Sequence, residues 1–385
     1  MRTARKNLVG TLHILLSAGM TVALFFIACH DDGTGGFWAI VSNVNVFGVV
    51  IYFVLGFIST LIRALRYQIL LRHASPTESL PRYPRLVLIS AVRDALVDFL
   101  PARLGESSYF YLLTRSGISL STGLFSFAVC SVLDVLVLLG IILPLLFVEL
   151  SVPSWRSDGF SASAISVCIG AAAFLCVAGM LLIQNLSVLF AVASRFFRLA
   201  ERRVRAPFVL KILQAAVTGF EHMEAESAEL RASGALARLL HTTFWLRFTK
   251  YAALYVLLLA VVSQWNLGVS EVPPLVSIAS FITAEASASL PVSGLMGFGA
   301  YEGSWSWALG AFGIQIPGII KVALLVHVIT QVRAYSLAAI AMVALFVIEL
   351  RGGNLIRECG RTTDPKRKEE TCAATRLTRG GAGSL

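Results

Sequence analysis

From residue 119 to residue 150 the chain reads SLSTGLFSFAVCSVLDVLVLLGIILPLLFVEL, with only Asp134 and Glu149 charged. A helix rises about 1.5 Å per residue and the hydrocarbon core of a bilayer is about 30 Å thick, so about 20 apolar residues already suffice to cross it. A run this long leaves the fold little choice. Apolar surroundings force every backbone group to be satisfied within the segment, which selects the helix. Comparable runs at 9–29, 38–62, 161–183, 240–263 and 318–349 bring the predicted crossings to six. Composition agrees: 57% of residues are hydrophobic and 14% charged, against about 45–50% and about 25% in soluble domains. The expected fold class is therefore all-α, a polytopic membrane helical bundle. Arg2, Arg5 and Lys6 precede the first run as they would in a signal peptide, but no small-residue cleavage site follows and Asp31 and Asp32 begin the next loop. A retained helix is expected there.

Lys and Arg set the orientation, because positively charged loops stay cytoplasmic. Residues 63–85 hold five of them (Arg63, Arg66, Arg72, Arg82, Arg85), residues 184–239 hold eight, and the tail from Arg351 holds eight more. The three loops at 30–37, 150–160 and 264–273 hold Arg156 alone. Both termini are thus expected on the cytoplasmic side of the cell membrane. The net charge of +10 follows from this asymmetry and points to membrane lipids with anionic headgroups as partners rather than nucleic acid. Cys29, Cys130, Cys168, Cys176, Cys359 and Cys372 form no CxxC pair, so neither a disulfide framework nor a metal site is indicated.

The stretch DALVDFLPARLGESSYFYLL, residues 94–113, interrupts the apolar pattern. Residues 86–100 form a helix of about 22 Å, too short to cross. Pro101 ends it, and Glu106 opens a second short helix, so the pair reads as a re-entrant hairpin. Such backbone is tolerated at membrane depth only under cover of protein or of a watery cavity. A similar plan recurs at 282–312, ITAEASASLPVSGLMGFGAYEGSWSWALGAF, with Leu290-Pro291, a turn carrying Gly294, Gly297 and Gly299, and Glu302 opening the returning helix. By the charge-derived topology the two hairpins enter from opposite sides, each flanked by two crossings. That is an inverted-topology repeat, the plan by which secondary transporters build a site near the bilayer midplane. Expected domains are a cytoplasmic N-terminus at 1–9 and a membrane domain at 10–350. The membrane domain is divided into halves at about 38–150 and 240–350, with a cytoplasmic or interfacial linker at 184–239. A basic, disordered cytoplasmic tail is expected at 351–385.

The candidate residues follow from charge at depth. Arg103, in the turn beside a helix start, joins free N–H groups to a guanidinium and suits a phosphate; the plain alternative is an arginine snorkelling to the interface. Glu106 and Glu302 either cap their helices or offer matched carboxylates to a proton or a headgroup. Arg93, Asp94 and Asp98 share one helix, the two carboxylates at i, i+4 on one face. Asp134 sits in mid-helix, where an ionisable group is expensive enough to imply function or a buried pair. Arg333 lies at the corresponding depth of the last crossing, and an Asp134–Arg333 ion pair is expected. Gly297 and Gly299 could let backbone approach a phosphate. Glu285 is a further candidate, Lys321 is expected to snorkel, and His241 and His327 are read as hydrogen-bonded structural residues. No P-loop, HExxH or GxSxG pattern is present, so no cofactor and no ATP-driven pump is expected.

Pro101-Ala-Arg103-Leu-Gly105-Glu106, Leu112-Leu113, the crossing LSTGLFSFAVCSVLDVLVLL and the glycine segment from Leu290-Pro291 to Glu302 resemble the lysylphosphatidylglycerol synthase transmembrane-domain family of flippase-like integral membrane proteins. The resemblance covers residues 10–350 and implies a lipid-translocating membrane part. Where that family carries an acidic-basic pair shortly before the aspartate that Asp134 matches, this chain has Cys130 and Ser131. The 35 residues after Leu350 are too few for an aminoacyltransferase domain, so lysine transfer is not expected.

The expected function is ATP-independent translocation of an anionic phospholipid or a polyprenyl-phosphate-type lipid across the cytoplasmic membrane. Two alternatives stay open. One is a membrane-embedded transferase on a lipid phosphate, with Asp98 or Glu106 as general base. The other is a non-catalytic partner of a separate cytoplasmic synthase, docking through the 195–205 face. Within 184–239, VASRFFRLAERRV alternates Arg with Phe and Leu at helical spacing and EHMEAESAEL is acidic, which reads as helices on the membrane surface. The sequence leaves the lipid, its direction, the coupling ion and the oligomeric state open.

Overall fold

The computed structural model describes residues 36–74, 80–100, 104–151, 162–204, 206–288 and 295–361, with five positions between 19 and 26. Most of the first predicted crossing, the N-terminus, Pro101 to Arg103, Leu290 to Gly294 and the tail beyond 361 lie outside the described residues. Among the described residues there are twelve α-helices and no strand, as the composition requires. A short α1 (Phe37–Ser42) leads into α2 (Val46–Ala74), then α3 (Tyr83–Phe99), α4 (Glu106–Thr114) and α5 (Leu120–Ser151). The middle of the chain is α6 (Ala162–Gln184), α7 (Leu186–Glu201) and α8 (Pro207–Ala232). After it come α9 (Leu236–Val262), α10 (Pro274–Ala288), α11 (Ala300–Ala311) and α12 (Ile319–Arg361).

Four helices are long and apolar enough to cross a membrane, α2, α5, α9 and α12, and α6 with α7 forms a further candidate bent by 70°. The protein is an integral membrane protein. Its outer faces carry exposed Phe57, Phe174, Ile340, Val343 and Phe346, the surface a bilayer covers. At about 1.5 Å per residue, α3, α4, α10 and α11 reach only about 14–26 Å, short of the about 30 Å core. They pack as two pairs, α3 with α4 and α10 with α11, each between two long helices in chain order. The second crossing is displaced from expectation: α2 begins at Val46 and runs on to Ala74, past the predicted end at 62. Arg63 and Arg66, read from the sequence as loop charges, are therefore inside a helix. Lys321, expected to snorkel, is buried.

Lipid tails give helices no hydrophobic reason to associate, so packing and polar contacts hold the bundle together. Two buried clusters do most of the packing. One joins Tyr67, Leu70 and Leu71 of α2 to Tyr109 of α4, Phe125 and Val129 of α5 and Leu239 of α9. The other joins Tyr52 of α2 to Leu257 and Val261 of α9, Phe281 of α10, Trp305 of α11 and Val326 of α12. Tyr67 lies against Tyr109 at 4.7 Å between ring centroids, fixing α4 on α2. Phe281 stacks on Trp305 at 5.4 Å and 13°, fixing α11 on α10. α2 and α9 pack along each other and contribute to both clusters.

Candidate functional site

Beside the second cluster lies a cavity of about 370 Å³ lined by residues of α2, α3, α4, α5, α9, α10, α11 and α12. Its wall carries six cations (Arg63, Arg66, Arg93, Arg247, Lys250, Arg333) and five carboxylates (Asp94, Asp98, Glu106, Asp134, Glu285). Each charge at this depth is expensive unless it is paired or meets water. The pairings therefore decide what the wall can do.

Asp134 is the most connected carboxylate. Arg66 donates to it through Nη1 at 2.6 Å, and Arg247 through Nη2 at 3.0 Å and Nε at 3.2 Å. Three helices, α2, α5 and α9, meet at one carboxylate. The expected Asp134–Arg333 pair is corrected here: Arg333 donates through Nε to the Tyr52 hydroxyl at 2.9 Å and lies over that ring, 5.6 Å from its centroid. The reason is steric and local. Gly56 leaves room on α2, where an added Cβ would sit 2.7 Å from Arg333 Cδ, so the guanidinium lies along α2 while Arg66 and Arg247 already fill the space round Asp134.

The first hairpin is clamped by ions. Arg93 donates through Nε and Nη2 to both oxygens of Glu106 at 2.7 and 2.6 Å, tying α3 to the first turn of α4 in the bidentate geometry that suits guanidinium and carboxylate. The turn between them depends on Gly105, whose added Cβ would lie 2.0 Å from the Leu96 carbonyl oxygen. Asp94 pairs with Arg63 of α2 and with Arg93 at 3.3 Å. Asp98 shares the face with Asp94, as the i, i+4 spacing requires, and both line the cavity. Among the described residues Asp98 has neither a hydrogen bond nor an ion pair, and it is exposed and lines the cavity. Arg103 lies outside the described residues; Leu100, the last one before it, lines the same cavity.

The second hairpin is built differently. Glu302 is fully buried, accepts the Gly299 N–H at 2.7 Å through Oε2, and holds His327 Nδ1 at 2.6 Å through Oε1. Its expected capping role is thus observed, and Gly299 serves as the N-cap. Gln331 Nε2 sits 3.0 Å from His327 Nε2. On α9, Lys250 pairs with Glu285 of α10 at 2.7 Å, which Tyr251 also supports by donating at 3.3 Å. Gly297 lines the cavity beside His327. Among the described residues no group of three or more His, Cys, Asp and Glu side chains could hold a metal.

A family model for the lysylphosphatidylglycerol synthase TM region matches residues 11–349. The chain belongs to that family. The match takes in every helix described above except the end of α12, and the lysylphosphatidylglycerol synthase TM region is a membrane domain associated with lipid handling. No curated protein and no solved structure matches the chain.

The cavity brings together Arg93, Asp98, Glu106, Asp134, Gly297 and Arg333 from the sequence reading, while Gly299 and Glu302 stand behind its wall, joined to it through His327. Sequence reasoning missed Arg63, Arg66, Arg247, Lys250 and Gln331. For Arg247 and Lys250 the signal was present: two cations at i, i+3 inside the 240–263 run, subject to the same rule that singled out Asp134. Arg63 and Arg66 stood at the edge of an apolar run, where a loop and a continuing helix look alike.

Proposed function

We propose that this protein moves a lipid with an anionic headgroup, an anionic phospholipid or a polyprenyl-phosphate-type lipid, across the cell membrane without ATP. The observation that carries the reading is the charged cavity together with Arg333, whose guanidinium has a phenol for a partner but no carboxylate within ion-pair distance among the described residues. A phosphate supplies the missing counter-charge in bidentate form. Membership of a lipid-handling membrane family supports the same reading.

In this mechanism the headgroup passes through the cavity between the hairpins while its chains stay in lipid. Arg333 holds the phosphate, and Arg103, three residues after Leu100 in the chain, receives it next. The two halves, α2 to α5 and α9 to α12, act as inverted repeats, with both termini cytoplasmic. The carboxylate of Asp134, held by Arg66 of one half and Arg247 of the other, re-partitions between them as the cavity opens to either side. A transferase reading has less room, because both Glu106 oxygens are held by Arg93, which leaves Asp98 as its only general base.

The test is transbilayer movement of headgroup-labelled phospholipids and polyprenyl-phosphate lipids in liposomes holding the purified protein. Arg333→Ala should slow movement by at least about tenfold, since a hydrogen bond to a charged group is worth about 1.5–3 kcal/mol. Arg103→Ala should abolish movement with expression intact; retained movement would remove its phosphate role. A lipid that stays put but emerges covalently altered would hand the site to the transferase reading.

A further inference from the structure

His327, Glu302 and Gln331 form a buried chain that the headgroup path does not use, with His327 and Gln331 in the cavity wall and Glu302 behind it. His327 donates through Nδ1 to the Glu302 carboxylate at 2.6 Å, while the Gln331 amide donates to the ring's Nε2 at 3.0 Å. A ring that accepts at one nitrogen and donates at the other is the neutral imidazole. Yet the other half of the same amide, Gln331 Oε1, is buried and has no hydrogen-bond partner. An orphaned carbonyl at such a place calls for a donor. Turning the amide by half a turn presents Oε1 to Nε2, and then the ring must carry a hydrogen there. The same side chains thus satisfy the imidazolium as fully as the imidazole, with no backbone shift.

Two further features fit a ring that gains and loses a proton. The rings of Tyr301 and Phe298 lie 4.4 and 4.6 Å from that of His327, and aromatic faces favour a cation. Gly297 has φ of +82°, and an added Cβ would lie 3.3 Å from Ala288 Cβ and 3.7 Å from His327 Cε1. Glycine at that place both permits the turn and keeps the ring reachable from the cavity, which His327, Gln331 and Gly297 line. The charged and titratable groups on the elements around His327 are Glu302 and Tyr301 of α11, Asp98 of α3, Lys250 of α9, Glu285 of α10 and Tyr52 of α2, with Arg333 and Lys321 on its own helix.

We infer that the Glu302–His327–Gln331 chain is the binding site of the coupling ion, a proton taken up on His327 Nε2, which enters and leaves together with the anionic headgroup. The inference rests on the translocase reading and adds the coupling ion to it. Protonation adds a positive charge to the wall that Arg333 shares, so proton and phosphate each strengthen the binding of the other, as reciprocal linkage requires. Release reverses the step: the proton leaves Nε2, the amide turns back, and the phosphate loses a counter-charge. No covalent bond in the lipid changes.

The experiment uses the full chain in liposomes carrying fluorescent phosphatidylglycerol, with a pH-sensitive dye inside. Acid on the side from which the lipid leaves should drive its accumulation opposite, by up to about tenfold per pH unit for one proton per lipid. An imposed lipid gradient should move the internal dye signal, and a protonophore should abolish the drive. His327→Gln should lose both responses. Should that variant not fold, Gln331→Leu, similar in size but unable to accept from Nε2–H, should weaken both. Lipid movement by the parent protein that ignores the gradient would overturn the inference and leave the translocase reading standing. Movement of no lipid at all would overturn that reading and the coupling with it.

Discussion

In the first hairpin Glu106 gives both its oxygens to Arg93, whereas in the second Glu302 divides its oxygens between the Gly299 N–H and His327. The two carboxylates occupy the same place in chain order, at the start of the shorter returning helix, and the partner decides their character. A guanidinium stays charged at any pH a cell meets, so the first hairpin is an ionic clamp of fixed charge. An imidazole can carry one proton or two, so the second is a clamp whose charge can change. The α3–α4 pair is thereby suited to holding still, and the α11–α12 contact to responding.

Breaking the hub that joins α2, α5 and α9 should have the largest effect. Asp134→Ala leaves Arg66 and Arg247 without their shared carboxylate, and an uncompensated buried charge costs about 3–5 kcal/mol; the midpoint of SDS-induced unfolding measures it. A variant as stable as the parent would mean that the two arginines find other partners and that the three helices are not joined there. The comparison of the hairpins is sharpened by one substitution in each. Glu106→Gln removes an ionic partner from Arg93 and should cost about 1.5–3 kcal/mol, while Glu302→Gln keeps one acceptor oxygen and should cost about 1 kcal/mol. Equal losses would make both hairpins ionic clamps. The smallest effect should come from the exposed Arg198–Glu221 pair between α7 and α8: Glu221→Ala should cost no more than about 1 kcal/mol, and a larger loss would make that pair part of the core.

The helices around the site were legible in the amino-acid order to different depths. The long crossings at α5 and α12 were plain, because apolar length alone defines them. The short helices α3 and α10 were legible too, since 17 and 15 residues cannot span the core. The end of α2 was not, because Arg63 and Arg66 read as a loop until their partners on α3 and α5 are known. The same blindness produced the expected Asp134–Arg333 pair. Equal depth in two helices made it plausible, but depth along the membrane normal carries no information about which faces meet. His327 was read as a bonded structural residue, and bonded it is; its role as a link between Glu302 and Gln331 depends on α11 packing against α12.

What the sequence determined by itself is the solvent and the secondary structure: hydrophobic length fixes the bilayer, the bilayer forces the helix, and charge at depth marks where polar chemistry must occur. Which charge meets which was decided only by the tertiary structure. Ion pairs are short-ranged and directional, so the rotation of each helix about its own axis, set by packing such as that of Gly56 against Arg333 and Phe281 against Trp305, chooses among partners that the one-dimensional chain presents as equivalent.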